Sequence, residues 1–164
     1  MEYKFIEKTE YHKNKKDYLK LIDEMFYEDY NKLANVNEIE KHLDFIFSNE
    51  YTNNAFLCLL MDNEKIISMV NFFEYNNMLN EWCLFAVFTK QNYRSQGYAK
   101  KILEKSILHL KNYKCSKLIS GIEKDNIASI KLHEEIGFEY SNCNWNELAD
   151  GFPENHLGFT YKFK

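Results

Sequence analysis

One segment of the chain combines residue types that suit an anionic ligand. It reads Arg94-Ser-Gln-Gly97-Tyr-Ala99 and follows a buried apolar run that ends at Phe88. The apolar run predicts a strand, and a helical pattern begins directly after Gly97. Gly97 lets the backbone approach a ligand closely, and the first turn of a helix offers unpaired N–H groups and the positive end of a dipole. The segment therefore predicts a pyrophosphate site.

A second ordered set of small and polar residues lies farther along the chain. It reads Asn126-Ile-Ala-Ser129-Ile-Lys-Leu132-His133-Glu134-Glu-Ile-Gly137-Phe138. Asn126 suits the N-cap of a helix, and Gly137 suits the position just after the last turn. The pattern predicts a helix that ends at Ile136 and carries His133 near its end.

Together the two segments resemble the signature blocks of the GNAT superfamily of acyl-CoA-dependent N-acetyltransferases. Arg94-x-x-Gly97-x-Ala99 is similar to the block Q/R-x-x-G-x-G/A. The segment from Asn126 is similar to N-x-x-S/A-x-x-L-Y-E-x-x-G-F. The blocks occur in the family's order, which is more specific than either block alone. With the flanking strands, the resemblance covers residues 55–140 approximately.

The resemblance implies an α/β (α+β) fold in which helices flank a mixed, mainly antiparallel central sheet with two splayed strands. Acetyl-CoA is the implied co-substrate, without a metal, and would lie between the strands that end near Phe88 and Ile122. Its pantetheine would pair with the open strand edge through backbone hydrogen bonds. Backbone N–H groups near Val87 and Phe88 would stabilise the oxyanion. The residues implied to contact acetyl-CoA are Ala86, Val87, Phe88, Arg94, Ser95, Gln96, Gly97, Tyr98, Ala99, Lys100, Asn126 and His133.

Acetyl transfer to an amine also needs a base, because an alkylammonium group, with a pKa of about 10.4, must lose a proton before its nitrogen can attack. Glu81 opens the apolar strand that would line the acetyl group, so we expect it to be the base or to contact the acceptor. Strand alternation would place Glu81 on the same side as Cys83, Phe85 and Val87, unless a bulge interrupts the strand. A solvent-facing charge at a strand end is the alternative interpretation, and Glu74 and Glu123 are weaker substitutes.

His133 is the second expected catalytic residue and the main departure from the family pattern. It stands where the family usually has the Tyr that protonates the leaving thiolate. A neutral imidazole is a poor proton donor near pH 7 unless its pKa is raised. The Leu-His-Glu sequence also resembles phosphinothricin-type acetyltransferases, so His at this position is compatible with activity. A histidine packed on the helix face is the alternative.

Hydrophobic periodicity predicts the elements that must position these residues. The predicted strands cover residues 3–7, 55–61, 66–73, 81–88, 117–122, 138–143 and 157–163. The predicted helices cover 15–30, 38–48, 98–112 and 126–136, all with approximate ends. The order β-α-α-β-β-β-α-β-α-β-β indicates one mixed α/β domain over residues 1–164.

Composition excludes several classes of protein. The chain has 164 residues and a net charge of −4, from 21 Lys plus Arg against 25 Asp plus Glu, so nucleic acid is not an expected partner. The four cysteines are widely spaced, which disfavours a zinc site, and Cys58 and Cys83 fit a core. No apolar run approaches the roughly 18 residues that span a bilayer. We therefore expect a cytoplasmic protein. The histidines expected to lie at the surface or on helix faces are His12, His42, His109 and His156.

These observations lead to an expected function. The chain is expected to be an acyltransferase that moves an acetyl group from acetyl-CoA to a primary amine of a small molecule, by direct attack in a ternary complex. A protein N-terminus or lysine is the alternative acceptor, and a non-catalytic CoA-binding regulatory module is the alternative from another class. The acidic and aromatic residues at 24–30 could hold a cationic amine or could simply end an amphipathic helix. The sequence leaves open the acceptor's identity and a possible homodimer.

Overall fold

In the part of the chain that the structure describes, seven strands form one mixed sheet, with helices on both faces. The computed structural model describes residues 1–30, 36–141 and 155–163, and the backbone alone at 28–30 and 36–38. The strands are β1 (Glu2–Glu7), β2 (Thr52–Asp62), β3 (Lys65–Tyr75), β4 (Glu81–Thr89), β5 (Lys117–Glu123), β6 (Glu139–Tyr140) and β7 (His156–Lys162). The helices are α1 (Lys8–Tyr30), α2 (Val36–Ile46), α3 (Tyr98–Leu110) and α4 (Ile127–Ile136).

The sheet order is β1-β2-β3-β4-β5-β7-β6, and among these described strands the β4–β5 pair is parallel while the other five pairs are antiparallel. This arrangement confirms the expected mixed, mainly antiparallel sheet flanked by helices. Most predicted elements are present, with ends shifted by a few residues. Residues 142–143 of one predicted strand lie outside the described residues, as do the side chains at 28–30.

The first helix begins earlier than the sequence indicated. It starts at Lys8, and its backbone leaves helical geometry at Asn14, with φ −122° and ψ 24°. The added turn is held by Tyr11, which is fully buried and stacks on Phe47 with ring centroids 4.2 Å apart. One apolar residue in a polar stretch carries too little periodicity to reveal a helix, so the prediction started near Lys15.

Two hydrophobic cores lie on opposite faces of the sheet. Side chains of β2 alternate between them: Phe56 and Cys58 pack under α3, while Leu57 and Leu59 pack under α1 and α2. The expected core positions of Cys58 and Cys83 are confirmed, with 0% and 5% exposure.

A β-bulge interrupts β4 beside the point where the sheet opens. Asn71 of β3 is paired with Ala86 and Phe72 with Leu84, so Phe85 is the extra residue. The bulge reverses the alternation, because Cys83 packs in the α1–α2 core whereas Val87 packs in the α3 core. Glu81 and Val87 were expected to share a side only in a strand without a bulge, and the bulge puts Val87 on the opposite face from Cys83.

The parallel ladder between β4 and β5 is short. It runs only from Glu81 paired with Lys117 to Leu84 paired with Ser120. Beyond Ser120, β5 continues its pairing with β7 on the other side, as far as Glu123. The strands β4 and β5 therefore separate after four pairs, and the space between them opens toward α3 and α4.

Candidate active site

A groove of about 620 Å³ lies between the end of β4, the loop that follows it, and the first turns of α3 and α4. The structure brings together here nine of the twelve residues expected to contact acetyl-CoA. They are Val87, Phe88, Arg94, Ser95, Gly97, Tyr98, Ala99, Lys100 and Asn126.

A second cavity, of about 290 Å³, lies between the separated strands and shares Val87, Asn126 and Ser129 with the groove. Ala86 and His133, two further expected contacts, line this cavity. Gln96 is not among the lining residues of either cavity. Its side-chain amide donates to the carbonyl of Asn92 at 2.8 Å, within the loop.

The loop before α3 has the backbone shape of an anion cradle. Ser95 and Gly97 both lie in the left-handed region, with φ +59° and +78°. Successive N–H groups around such residues converge on one side of the chain. Within the described chain, no side chain caps α3 at Gly97, and a Cβ on Gly97 would meet no atom within 4 Å. The open space and the first-turn N–H groups can thus receive a phosphate group.

Arg94 fixes this loop to the end of β4. Its Nε donates to the carbonyl of Thr89 at 2.9 Å, and its guanidinium lies 5.7 Å from the centroid of the Phe88 ring. The side chain therefore adds positive charge to the groove and also holds the loop in place.

Charged and polar side chains complete the groove. Lys100 of α3 and Glu135 of α4 form an ion pair at 3.3 Å, with side chains 41% and 61% exposed. An exposed pair of this kind contributes at most about 1 kcal/mol, so Lys100 can exchange its partner for a phosphate. Asn126 is the N-cap of α4, as expected, since its Oδ1 accepts from the N–H of Ser129 at 3.1 Å.

His133 lies on α4 with its ring enclosed between helix and sheet. The residue is 1% exposed, and its ring contacts Phe138 edge-on with centroids 4.8 Å apart. Nδ1 lies 2.8 Å from the carbonyl oxygen of Ser129, and Nε2 lies 3.1 Å from the hydroxyl of Ser120. Burial lowers the pKa of His133, with a smaller opposing effect from the Ser129 carbonyl. The imidazole is therefore neutral at pH 7, which disfavours the expected role as a general acid.

Comparison with known proteins identifies the family. A family model described as the acetyltransferase (GNAT) family matches residues 17–138. The chain belongs to this family. Its mixed sheet flanked by helices is also the fold of solved acetyltransferases.

Two relatives and one solved structure illustrate the similarity. The alanine N-acetyltransferase of ribosomal protein bS18 from Haemophilus ducreyi is 23% identical over 137 residues, which are 82% of this chain and 94% of that one. The spermine/spermidine N(1)-acetyltransferase of Bacillus subtilis is 34% identical over 55 residues, 33% of this chain and 36% of that one. The PaiA N-acetyltransferase of Thermoplasma acidophilum, solved in complex with coenzyme A, has a TM-score of 0.62 at 11% identity and covers 99% of this chain and 100% of its own.

Glu81 of this acetyltransferase lies away from both cavities. It opens β4 and forms an ion pair with Lys117 of β5 at 2.8 Å. A strand rises about 3.3 Å per residue, so Glu81 starts about 20 Å before Val87. The structure therefore does not bring Glu81 to the groove, and its role as a base is not favoured by its position.

The two substitute carboxylates have different surroundings. Glu74 is 3% exposed and accepts from the side chain of Asn54 at 2.7 Å and from the backbone N–H of Asn80 at 2.6 Å, so it organises the turn before β4. Glu123, at the end of β5, lines the second cavity together with His156. Of the three carboxylates, Glu123 is the one that the fold places in the site.

Two side chains near the site carried no sequence signal of a role there. Ser120 is a lone hydroxyl in an apolar strand. Its spacing from Leu118 and Ile122 predicts only that it shares their face of the sheet, which is a core face. His42 of α2 contacts the ring of Phe85, with centroids 4.0 Å apart, and burial lowers its pKa. The contact of His42 with Phe85 joins elements far apart in the sequence, whereas Ser120 meets His133 of the next element along the chain.

Two further findings concern metals and membranes. Among the described residues, no group of three or more His, Cys, Asp or Glu side chains is placed to hold a metal ion. In the same residues, no helix is long and apolar enough to cross a bilayer.

Proposed function

We propose that this acetyltransferase moves the acetyl group of acetyl-CoA to a primary amine of a small molecule, by direct attack in a ternary complex. The groove at the divergence of β4 and β5 carries the proposal. Among the described residues, it joins a helix N-terminus that no side chain caps to residues 85–87 of β4, which are not paired with β5. A solved structure of the same fold is a complex with coenzyme A.

The described residues fit such a co-substrate. Backbone N–H groups from Ser95 to Lys100 would bind the diphosphate, and Arg94 would keep the loop in shape. Backbone groups of β4 at residues 85–87 have no β5 partner in the described ladder, so they can pair with the amides of the pantetheine arm. When bound, acetyl-CoA supplies an activated thioester. N–H groups near Val87 would stabilise negative charge on the thioester oxygen.

The acceptor would approach from the α2 side of the bulge. Phe85 is 42% exposed there, and an aromatic face attracts a cationic amine. The net charge of −4 also favours a cation over an anion. Glu123 is the carboxylate best placed to receive the amine proton, directly or through water, because it lines the cavity between the strands.

A protein N-terminus is the second candidate acceptor. It is favoured by the Haemophilus ducreyi relative, named for an alanine of ribosomal protein bS18, because that match covers 82% of this chain. The match to the relative named for spermine and spermidine covers only 33% of this chain. A non-catalytic CoA-binding module is the third candidate.

The test separates binding from transfer. Thermal unfolding is measured with acetyl-CoA and with adenosine, and stabilisation by acetyl-CoA alone is expected. Purified protein is then incubated with acetyl-CoA and two acceptor panels, small mono- and polyamines and peptides that begin with alanine, and the acetylated products are detected by mass spectrometry. Products in the peptide panel alone would replace the small-molecule proposal. Binding of acetyl-CoA without any product in either panel would favour the regulatory module.

A further inference from the structure

Ser120 and His133 form a buried pair at the floor of the cavity between the strands. Ser120 is 4% exposed and His133 is 1% exposed, and both line the cavity with Ala86 and Val87. Ser120 Oγ and His133 Nε2 are 3.1 Å apart, within hydrogen-bond distance. Ser120 is also the last β5 residue paired with β4, so its hydroxyl lies where the strands separate.

The neighbours of His133 determine which way the hydrogen bond runs. Nδ1 lies 2.8 Å from the carbonyl oxygen of Ser129, which can only accept, so Nδ1 carries the proton. Burial keeps the ring neutral by lowering its pKa, so Nε2 has a free electron pair. The Ser120 hydroxyl must therefore donate to Nε2. In this state the pair is a hydroxyl activated by a base that a third group orients, which is the arrangement of an activated nucleophile.

We propose that Ser120 is an acyl acceptor activated by His133, and that the protein hydrolyses acetyl-CoA slowly when no amine is present. This second activity rests on the proposed binding of acetyl-CoA. It adds to direct transfer and does not replace it, since an amine would compete with Ser120 for the same acetyl group.

The steps balance without any additional reactant except water. Ser120 Oγ forms a bond to the thioester carbonyl carbon while its proton passes to His133 Nε2. The C–S bond breaks, the sulfur takes the electron pair and then the proton from Nε2, and CoA leaves as a thiol. A water molecule then attacks the acetyl ester and gives one proton to Nε2. The ester C–O bond breaks, Ser120 Oγ takes that proton back from Nε2, and acetic acid leaves and ionises to acetate in solution.

Another buried hydroxyl of the chain supplies a matched control. Ser106 lies on α3, is 0% exposed and is not among the residues that line the groove or the cavity. Ser106→Ala removes a buried hydroxyl, as Ser120→Ala does, but leaves the pair intact. His133→Gln removes the base and keeps a polar side chain.

The experiment uses two acetyl donors in the absence of amine. The protein is incubated with acetyl-CoA or with p-nitrophenyl acetate, an activated ester that lacks CoA. Acetylated peptides are identified by mass spectrometry, and release of CoA thiol is followed with time. We expect an acetyl group on Ser120 with both donors. Ser120→Ala and His133→Gln should each lower amine-independent thiol release by roughly 10²-fold or more, the usual contribution of a general base, while Ser106→Ala should not change it.

The outcomes distinguish this inference from the proposed function. If acetyl-CoA stabilises the protein but neither donor acetylates Ser120, the inference is overturned and the proposed function stands. Unchanged thiol release in Ser120→Ala overturns it as well. Acetylation of Ser120 by the ester, without binding of acetyl-CoA, would support the nucleophilic pair and reject the proposed function. The search for acetylated Ser120 in the unmodified protein needs no variant, so a folding defect in Ser120→Ala would not prevent a decision.

Discussion

A substitution series at Gly97 gives the sharpest test of the anion cradle. Gly97→Ala should fold, because a Cβ there would meet no atom within 4 Å. Its cost is that of the left-handed backbone at φ +78°, about 1–2 kcal/mol for a residue other than glycine. For a chain of this length, a loss of that size lowers Tm by roughly 2–8 °C.

Binding should respond to charge more strongly than to volume. Gly97→Gln and Gly97→Glu place side chains of similar size in the groove, but only Glu adds a negative charge. Two like charges 4 Å apart repel by about 4 kcal/mol at an effective dielectric constant of 20, which corresponds to roughly 10³-fold in Kd. Salt screens part of this effect, so the Glu variant should recover some affinity as ionic strength rises.

The assay is calorimetric titration with acetyl-CoA at two ionic strengths, beside thermal unfolding of each variant. The Gln variant measures the effect of volume, and the difference between Glu and Gln measures the effect of charge. Equal affinities for these two variants would show that no phosphate lies at this loop. Wild-type affinity for acetyl-CoA in the Ala, Gln and Glu variants alike would refute the placement of the co-substrate in the groove.

Three further predictions concern other groups. Glu81→Gln would lower kcat most at low pH if Glu81 were the base, but its pairing with a β5 lysine predicts an unchanged pH–rate profile. Lys100→Ala should weaken acetyl-CoA binding and Glu135→Gln should strengthen it, each by a few-fold in the Kd measured by calorimetry. A change of Kd in the same direction for both variants would mean that the ion pair matters only for structure. Burial lowers the folded-state pKa of His133 and His42, so the unfolded chain takes up more protons below its own histidine pKa of about 6.5. The free energy of unfolding should then decrease as the pH is lowered through that range, by at most about 1.4 kcal/mol per pH unit for each histidine. His133→Gln should remove one such contribution from the measured slope.

Local signals in the sequence were sufficient for the parts of the site built on helix ends. Asn126 caps α4 as expected, and Gly137 ends it at φ +104° with N–H bonds back to the last turn. Gly97 likewise precedes α3 in a left-handed conformation. Each of these residues acts on neighbours within four positions, so its type and spacing carry most of the information.

Contacts between distant segments could not be obtained in the same way. Tyr11 lies in a helical turn and stacks on Phe47, which follows α2, and Ser120 of β5 lies within hydrogen-bond distance of His133 of α4. The bulge at Phe85 depends on the register between β3 and β4. No residue in β4 is a Gly or Pro that would mark a bulge, so the sequence could name a bulge only as an exception to alternation and could not locate it.

The four-pair ladder between β4 and β5 explains both the position of Glu81 and that of Ser120. The parallel register pairs Glu81 with Lys117, and the ion pair between them holds the carboxylate at the end of the ladder where β4 and β5 are still paired. The same register makes Ser120 the last β5 residue paired with β4, at the end of the ladder where the strands separate and the cavity begins. Because side chains alternate, Ser120 then shares its face with Leu118 and Ile122 and must meet α4, where His133 lies. A shift of one residue in this register would turn Ser120 to the other face and separate the pair, so the chemistry of the cavity depends on a short stretch of backbone pairing.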